Sequence, residues 1–109
     1  MKRLTLMLIL ALAPSAANIH TIATISGSGA KVQISTDSQT RAKWIQVIAD
    51  SGNSAKVFFG DSTVSATTGL PIAAGAGYNT PACQSCVYTL SATYVYVGSG
   101  DKVYVAFGD

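Results

Sequence analysis

The chain has 109 residues, seven Lys or Arg against five Asp, no Glu, one His and 49% hydrophobic residues. That length holds one domain with one core, and a charged fraction of only 11% amid many Ser, Thr, Gly, Val and Tyr excludes a disordered chain. Lys2 and Arg3 account for the net charge of +2, because the seven cations less these two equal the five aspartates.

Residues 1–17 read differently from the rest. Lys2 and Arg3 precede an apolar run over residues 4–13, broken only by Thr5, and then Pro14, Ser15, Ala16 and Ala17. This is the basic, apolar, small-residue order of a secretory signal. The run is too short to span a bilayer, which takes about 20 residues of helix, so no stable membrane span is expected. Two readings stay open: a cleaved export signal, or a retained apolar arm that packs Leu4, Leu6, Leu8 and Leu10 against a partner.

From residue 18 to 109 the dominant period is two, and turn residues punctuate it, which predicts a single β-sandwich domain. Candidate strands are residues 20–26, 30–35, 42–49, 55–60, 70–73, 86–90, 93–97 and 102–107. Glycine clusters at 26–29, 50–53, 75–77 and 98–101 mark the turns. Eight short segments at this spacing predict an all-β fold, a sandwich of the jelly-roll kind. Within it Trp44, the only tryptophan, opens the strong strand at 44–49 and is expected as a core or rim anchor, with a contact role as the alternative.

Segments 94–97 and 103–107 predict a C-terminal hairpin. Alternation puts Val95, Val97, Val103, Val105 and Phe107 on one face and Tyr94, Tyr96 and Tyr104 on the other. A face of three tyrosines calls for a covering layer, a loop or another subunit.

Catalytic and metal-binding equipment is sparse. Val57 to Thr63 resembles the first block of the GDSL-type esterases, where a strand leads into Gly-Asp-Ser and the serine is the nucleophile. That family pairs its serine with a histidine three positions after an aspartate near the C-terminus. Here His20 is the only histidine and lies upstream, so Gly60-Asp61-Ser62 reads better as a turn with Asp61 accepting from nearby amides. One histidine cannot supply a metal set, and no cofactor is expected. Cys83 and Cys86 form a single CxxC pair before a strand, which fits neither a zinc site nor a thioredoxin-like motif at a helix start. They are candidates for a small disulfide ring if the chain is exported, and reduced thiols if it assembles in cytoplasm. Lys31, Arg41, Lys43, Lys56 and Lys102 are scattered, whereas nucleic-acid binding leans on clustered cations, so no nucleic acid is an expected partner.

Residues 44–81, with their Trp-Ile-Gln strand, Asn-Ser-Ala plus Gly-Asp-Ser hairpin and Thr-Gly-Leu-Pro-Ile-Ala-Ala-Gly segment with its glycine turn, resemble small structural proteins of tailed bacteriophages; so does the closing stretch 94–107 with its Ser-Gly-Asp-Lys-Val hairpin. Capsid decoration or cement proteins and head or tail fibre modules belong to that group. The resemblance implies a non-enzymatic β-sandwich located on the virion, partnered by the major capsid or another virion protein, and a homo-oligomer, a trimer by family habit. The alternative from the residues alone is a secreted or periplasmic module that binds a glycan or protein.

Overall fold

The computed structural model describes residues 19–37, 39–82, 85 and 87–109. Its strands are β1 (Ile19–Thr21), β2 (Ile25–Ser26), β3 (Ala30–Gln33), β4 (Arg41–Ala42), β5 (Trp44–Ala49), β6 (Val57–Gly60), β7 (Leu70–Ile72), β8 (Gly77–Asn79), β9 (Tyr88–Thr89), β10 (Tyr94–Val97) and β11 (Lys102–Gly108), with one 3-10 turn at Leu90–Ala92. The all-β reading holds.

Strand pairing is nested and antiparallel throughout. β1 and β2 lie on β11, β3 on β10, β5 on β8 and β6 on β7, as in one long hairpin. Two further ladders, β11 on β5 and β10 on β6, roll that hairpin into two sheets. Sheet A runs β1-β11-β5-β8 with β2 beside β1 on β11, sheet B runs β3-β10-β6-β7, and β4 with β9 forms a small third ladder. This is the strand order of a jelly roll.

The core follows from period two. Sheet A turns Ile45, Val47, Ala49, Val103 and Val105 inward, sheet B turns Val57, Phe59, Ile72, Val95 and Val97 inward, and Ile34 and Leu90 join the same cluster. Ile45, Val47, Val57, Leu90, Val95, Val97 and Val103 are wholly buried, and each such side chain contributes about 1.5–3 kcal/mol relative to exposure.

Several sequence-based expectations are corrected. The C-terminal hairpin does not exist: β10 belongs to sheet B and β11 to sheet A. Their valine faces satisfy each other by stacking across the sandwich, which buries both rows at once, whereas side-by-side pairing would leave the rows on one sheet. The segment read as 20–26 breaks into β1 and β2, and 42–49 breaks at Lys43, whose amide donates to the Gly108 carbonyl at 2.7 Å. Of the segment read as 86–90, Tyr88–Thr89 form β9 and Leu90 opens the 3-10 turn. The glycine turn read at 75–77 forms around Gly75, whose φ is 77° and beside which the Ala76 amide donates to the Ala73 carbonyl at 2.9 Å; Gly77 then opens β8, a strand not expected from the sequence, paired with β5.

Asp101 explains how the chain crosses between sheets. It is only 4% exposed. One carboxylate oxygen accepts the Ser54 amide at 2.9 Å and the Ser54 hydroxyl at 3.2 Å, and the other accepts the Ala55 amide at 3.3 Å. Its carbonyl accepts the Gly27 amide at 2.9 Å. A buried charge needs such donors, and here they tie the β10–β11 turn to the β5–β6 and β2–β3 loops. Gly27 is obligatory at this junction, since a Cβ there would overlap the Gly98 carbonyl.

Candidate functional site

The outward face of sheet A is fixed by register. On β5, Trp44, Gln46 and Ile48 alternate with buried Ile45, Val47 and Ala49. They stand beside Gly108, Ala106 and Tyr104 of β11. β1 adds Ile19 and Thr21 on one side, and β8 adds Asn79 and Gly77 on the other. The cross-strand rows are therefore Ile19, Gly108 and Trp44; then Thr21, Ala106, Gln46 and Asn79; then Tyr104, Ile48 and Gly77; and, at the far end of β11, Lys102 and Ser26. Lys102 is the one charged side chain among these.

This face is partly bare, with Ile19, Ile48 and the Tyr104 ring standing among the polar side chains of Thr21, Gln46 and Asn79. Ile19 is 75% exposed, Tyr104 40% and Ile48 38%. Between them opens a groove of about 200 Å³, lined chiefly by Thr21, Gln46, Ile48, Tyr104 and Ala106. Small residues form its floor, and Ile48 and Tyr104 rise as walls. Trp44 lies across Gly108 so closely that a Cβ on Gly108 would overlap the indole. At the other end the Tyr104 hydroxyl donates to Asp50 Oδ1 at 2.7 Å, and the Gly52 amide donates to Asp50 Oδ2 at 2.9 Å. These two bonds, Tyr104's first, hold the Asp50 carboxyl below its usual range, and Asp50 in turn pushes the Tyr104 phenol up. The pair anchors the tyrosine ring at the rim.

Tyr94 and Tyr96 are elsewhere. They project from the outer face of sheet B, where Tyr96 stands between Lys31 and Phe58, and Pro71 follows on β7. The Lys31 ammonium lies 5.7 Å from the centre of the Tyr94 ring, within cation–π range, and also donates to the Ser62 carbonyl. The single tyrosine face expected from the sequence is thus split between the two outsides of the sandwich. Two consecutive strands in different sheets must present their outward side chains in opposite directions.

Of the expected contact residues, Trp44 and Tyr104 share one surface, and Tyr94 and Tyr96 share the other. Leu4, Leu6, Leu8, Leu10, Cys83 and Cys86 lie outside the described residues. Ile19, Ile48 and Phe58 were not singled out. For Ile48 the signal was present: in 44–49 it is the apolar residue in the outward phase, between inward Val47 and Ala49.

The Gly-Asp-Ser segment forms a tight turn in which Asp61 Oδ1 accepts the Thr63 amide at 2.9 Å and the Thr63 hydroxyl. Those bonds, side-chain first, hold the Asp61 carboxyl below its usual range. Ser62 is exposed after a strand of sheet B, while His20 lies on β1 of sheet A. His20 bonds Asp109 Oδ2 at 3.1 Å and stacks on Phe107 with ring centres 5.0 Å apart. Its role there is to fasten β1 to the end of β11. A second cavity, about 240 Å³, opens at the sheet ends beside Phe59, Asp61, Thr80 and Tyr88. Its polar groups are engaged in the fold: Thr80 Oγ1 accepts the Ile45 amide at 2.8 Å, and the Tyr88 hydroxyl donates to the Pro81 carbonyl at 2.8 Å. Among the described residues no three His, Cys, Asp or Glu side chains gather as a metal set, and no helix is long and apolar enough to cross a membrane.

Comparison with protein-family models, with curated proteins and with solved structures gives no match for this chain.

Proposed function

We propose that the chain is a non-enzymatic accessory protein of a phage virion, a jelly-roll module that decorates or cements the capsid as a homo-oligomer. The observation that carries this reading is the shallow, largely apolar groove on the outer face of sheet A, whose lining is uncharged and includes exposed Ile48 and Tyr104, with Ile19 exposed at the head of the same face. Exposed apolar area of this kind favours a macromolecular partner, and a body with as many cations as anions offers little repulsion against lattice association. The apolar residues 4–13 would add contact area on the capsid or a neighbouring subunit.

The test is electron imaging of particles carrying the full chain or a chain lacking residues 1–17. The full chain is expected at regular lattice positions, with occupancy reduced by the deletion while the sandwich stays folded. Absence of the full chain from particles overturns the proposal.

One observation favours a second reading, an exported glycan- or protein-binding module. The order of basic, apolar and small residues over 1–17 matches a cleavable leader. Intact mass of the protein from its native source separates the two, since export predicts loss of about seventeen residues and a bridge between Cys83 and Cys86.

A further inference from the structure

We infer that the groove on the outer face of sheet A is the receptor for the apolar segment 4–13 of a second copy of this chain. The inference rests on the reading that residues 1–17 are retained, and it names the surface that receives them.

Eighteen residues precede Ile19, and Ile19 itself stands in the first row of this face, beside Gly108 and Trp44. The apolar segment is therefore tethered at the margin of the outer face that carries this groove. Its leucines fall at 4, 6, 8, 10 and 12. In extended form, at about 3.3 Å per residue, such alternation sets every leucine on one side over roughly 25 Å. β11, the strand that runs through the floor, has seven residues, or roughly 23 Å at the same rise, so the lengths match. The arm lacks charge over this span, and so do the residues lining the groove; charge enters only at the far end of the face, with Lys102 and with Asp50 beside Tyr104.

Strand direction selects the second copy over the chain's own groove. β1 runs from Ile19 opposite Gly108 to Thr21 opposite Ala106, toward the groove. A straight continuation backwards from Ile19 leads past the Gly108 end and off the domain. Reaching the same molecule's groove would take a full reversal within residues 14–18, whereas a neighbour is reached without one. Where two copies exchange arms reciprocally, the contact closes on itself.

The experiment measures the mass in solution, by sedimentation velocity over a dilution series, of the intact chain and of three full-length variants. Ile48→Lys and Thr21→Arg alter exposed groove positions, and Leu8→Asp alters the arm. The intact chain is expected to keep its full mass and to sediment as an oligomer. Each variant is expected to sediment as a folded monomer whose circular-dichroism spectrum matches that of the intact chain. Mixing Ile48→Lys with Leu8→Asp chains is expected to restore a complex, because one keeps its arm and the other its groove. A full-mass intact chain that is monomeric, or groove variants that still associate, overturns arm exchange alone and leaves capsid attachment to other surfaces. Loss of residues 1–17 from the native protein overturns this inference together with the arm reading beneath it.

Discussion

Gly108 and Trp44 show how much one absent methyl group can decide. A Cβ at Gly108 would overlap the indole, so Gly108→Ala forces the only tryptophan off its seat. Overpacking of this kind costs about 1–3 kcal/mol. Urea titration followed by Trp44 fluorescence is expected to show a lowered midpoint, together with a shift of the native emission. Asp101 is the opposite case, a buried carboxylate whose removal costs its donors their bonds. Asp101→Ala removes the acceptor of the Ser54 and Ala55 amides; both residues are exposed, so water takes the place of the carboxylate and each lost bond costs about 0.5–1.5 kcal/mol, measurable as a fall in thermal stability.

Tyr104 and Asp50 give a pH signature at the same scale. Asp50 is depressed in the folded state, so its contribution is present above the unfolded carboxylate range, near pH ~4, and is lost as pH falls through the lower folded value. Tyr104 is raised, so its contribution is present below the unfolded phenol value, near pH ~10, and is lost as pH rises through the higher folded value. Tyr104→Phe is therefore expected to be less stable than the intact chain between these limits, with the two melting curves converging at either extreme.

β5 carries the logic of the elements. Its residues alternate between a wholly buried set and an outward set, so two isoleucines three positions apart answer differently to the same change. Ile45→Ala opens a core cavity and is expected to cost about 2–5 kcal/mol. Ile48→Ala touches the exposed face and is expected to change monomer stability by no more than about 0.5 kcal/mol. Denaturant midpoints of the two variants check the contrast. That contrast was legible from alternation in Trp44-Ile45-Gln46-Val47-Ile48-Ala49, as was the strand itself. The partner of each strand was not. β10 and β11 are separated by a four-residue Gly-Ser-Gly-Asp turn, and a short turn between alternating strands reads locally as a hairpin. What defeats that pairing is non-local: β3 and β6 flank β10, and β5 flanks β11.

Across the whole molecule the nested order makes almost every ladder long-range. Ile19 pairs with Gly108 and Ala30 with Val97, so loop closure must be met before these contacts form. Such topology folds in milliseconds to seconds rather than microseconds. Stopped-flow refolding of the full chain, followed by Trp44 emission, is expected to fall in that slower window. Closure also places Ile19 at the head of the outer face of sheet A, which joins the chain's N-terminal approach to the groove beside Tyr104 and Ile48.

The amino-acid sequence by itself determined the all-β class, the inward valines and isoleucines and the turn chemistry of Asp61, because period two and local side-chain bonding act over a few residues. Only the tertiary structure decided that Trp44 and Tyr104 share a surface while Tyr94 and Tyr96 face away from it, and that Asp101 is the buried tie between three loops. Those arrangements depend on which distant strands lie side by side, and that choice is made by burying two apolar faces against each other, a condition that no short stretch of chain contains.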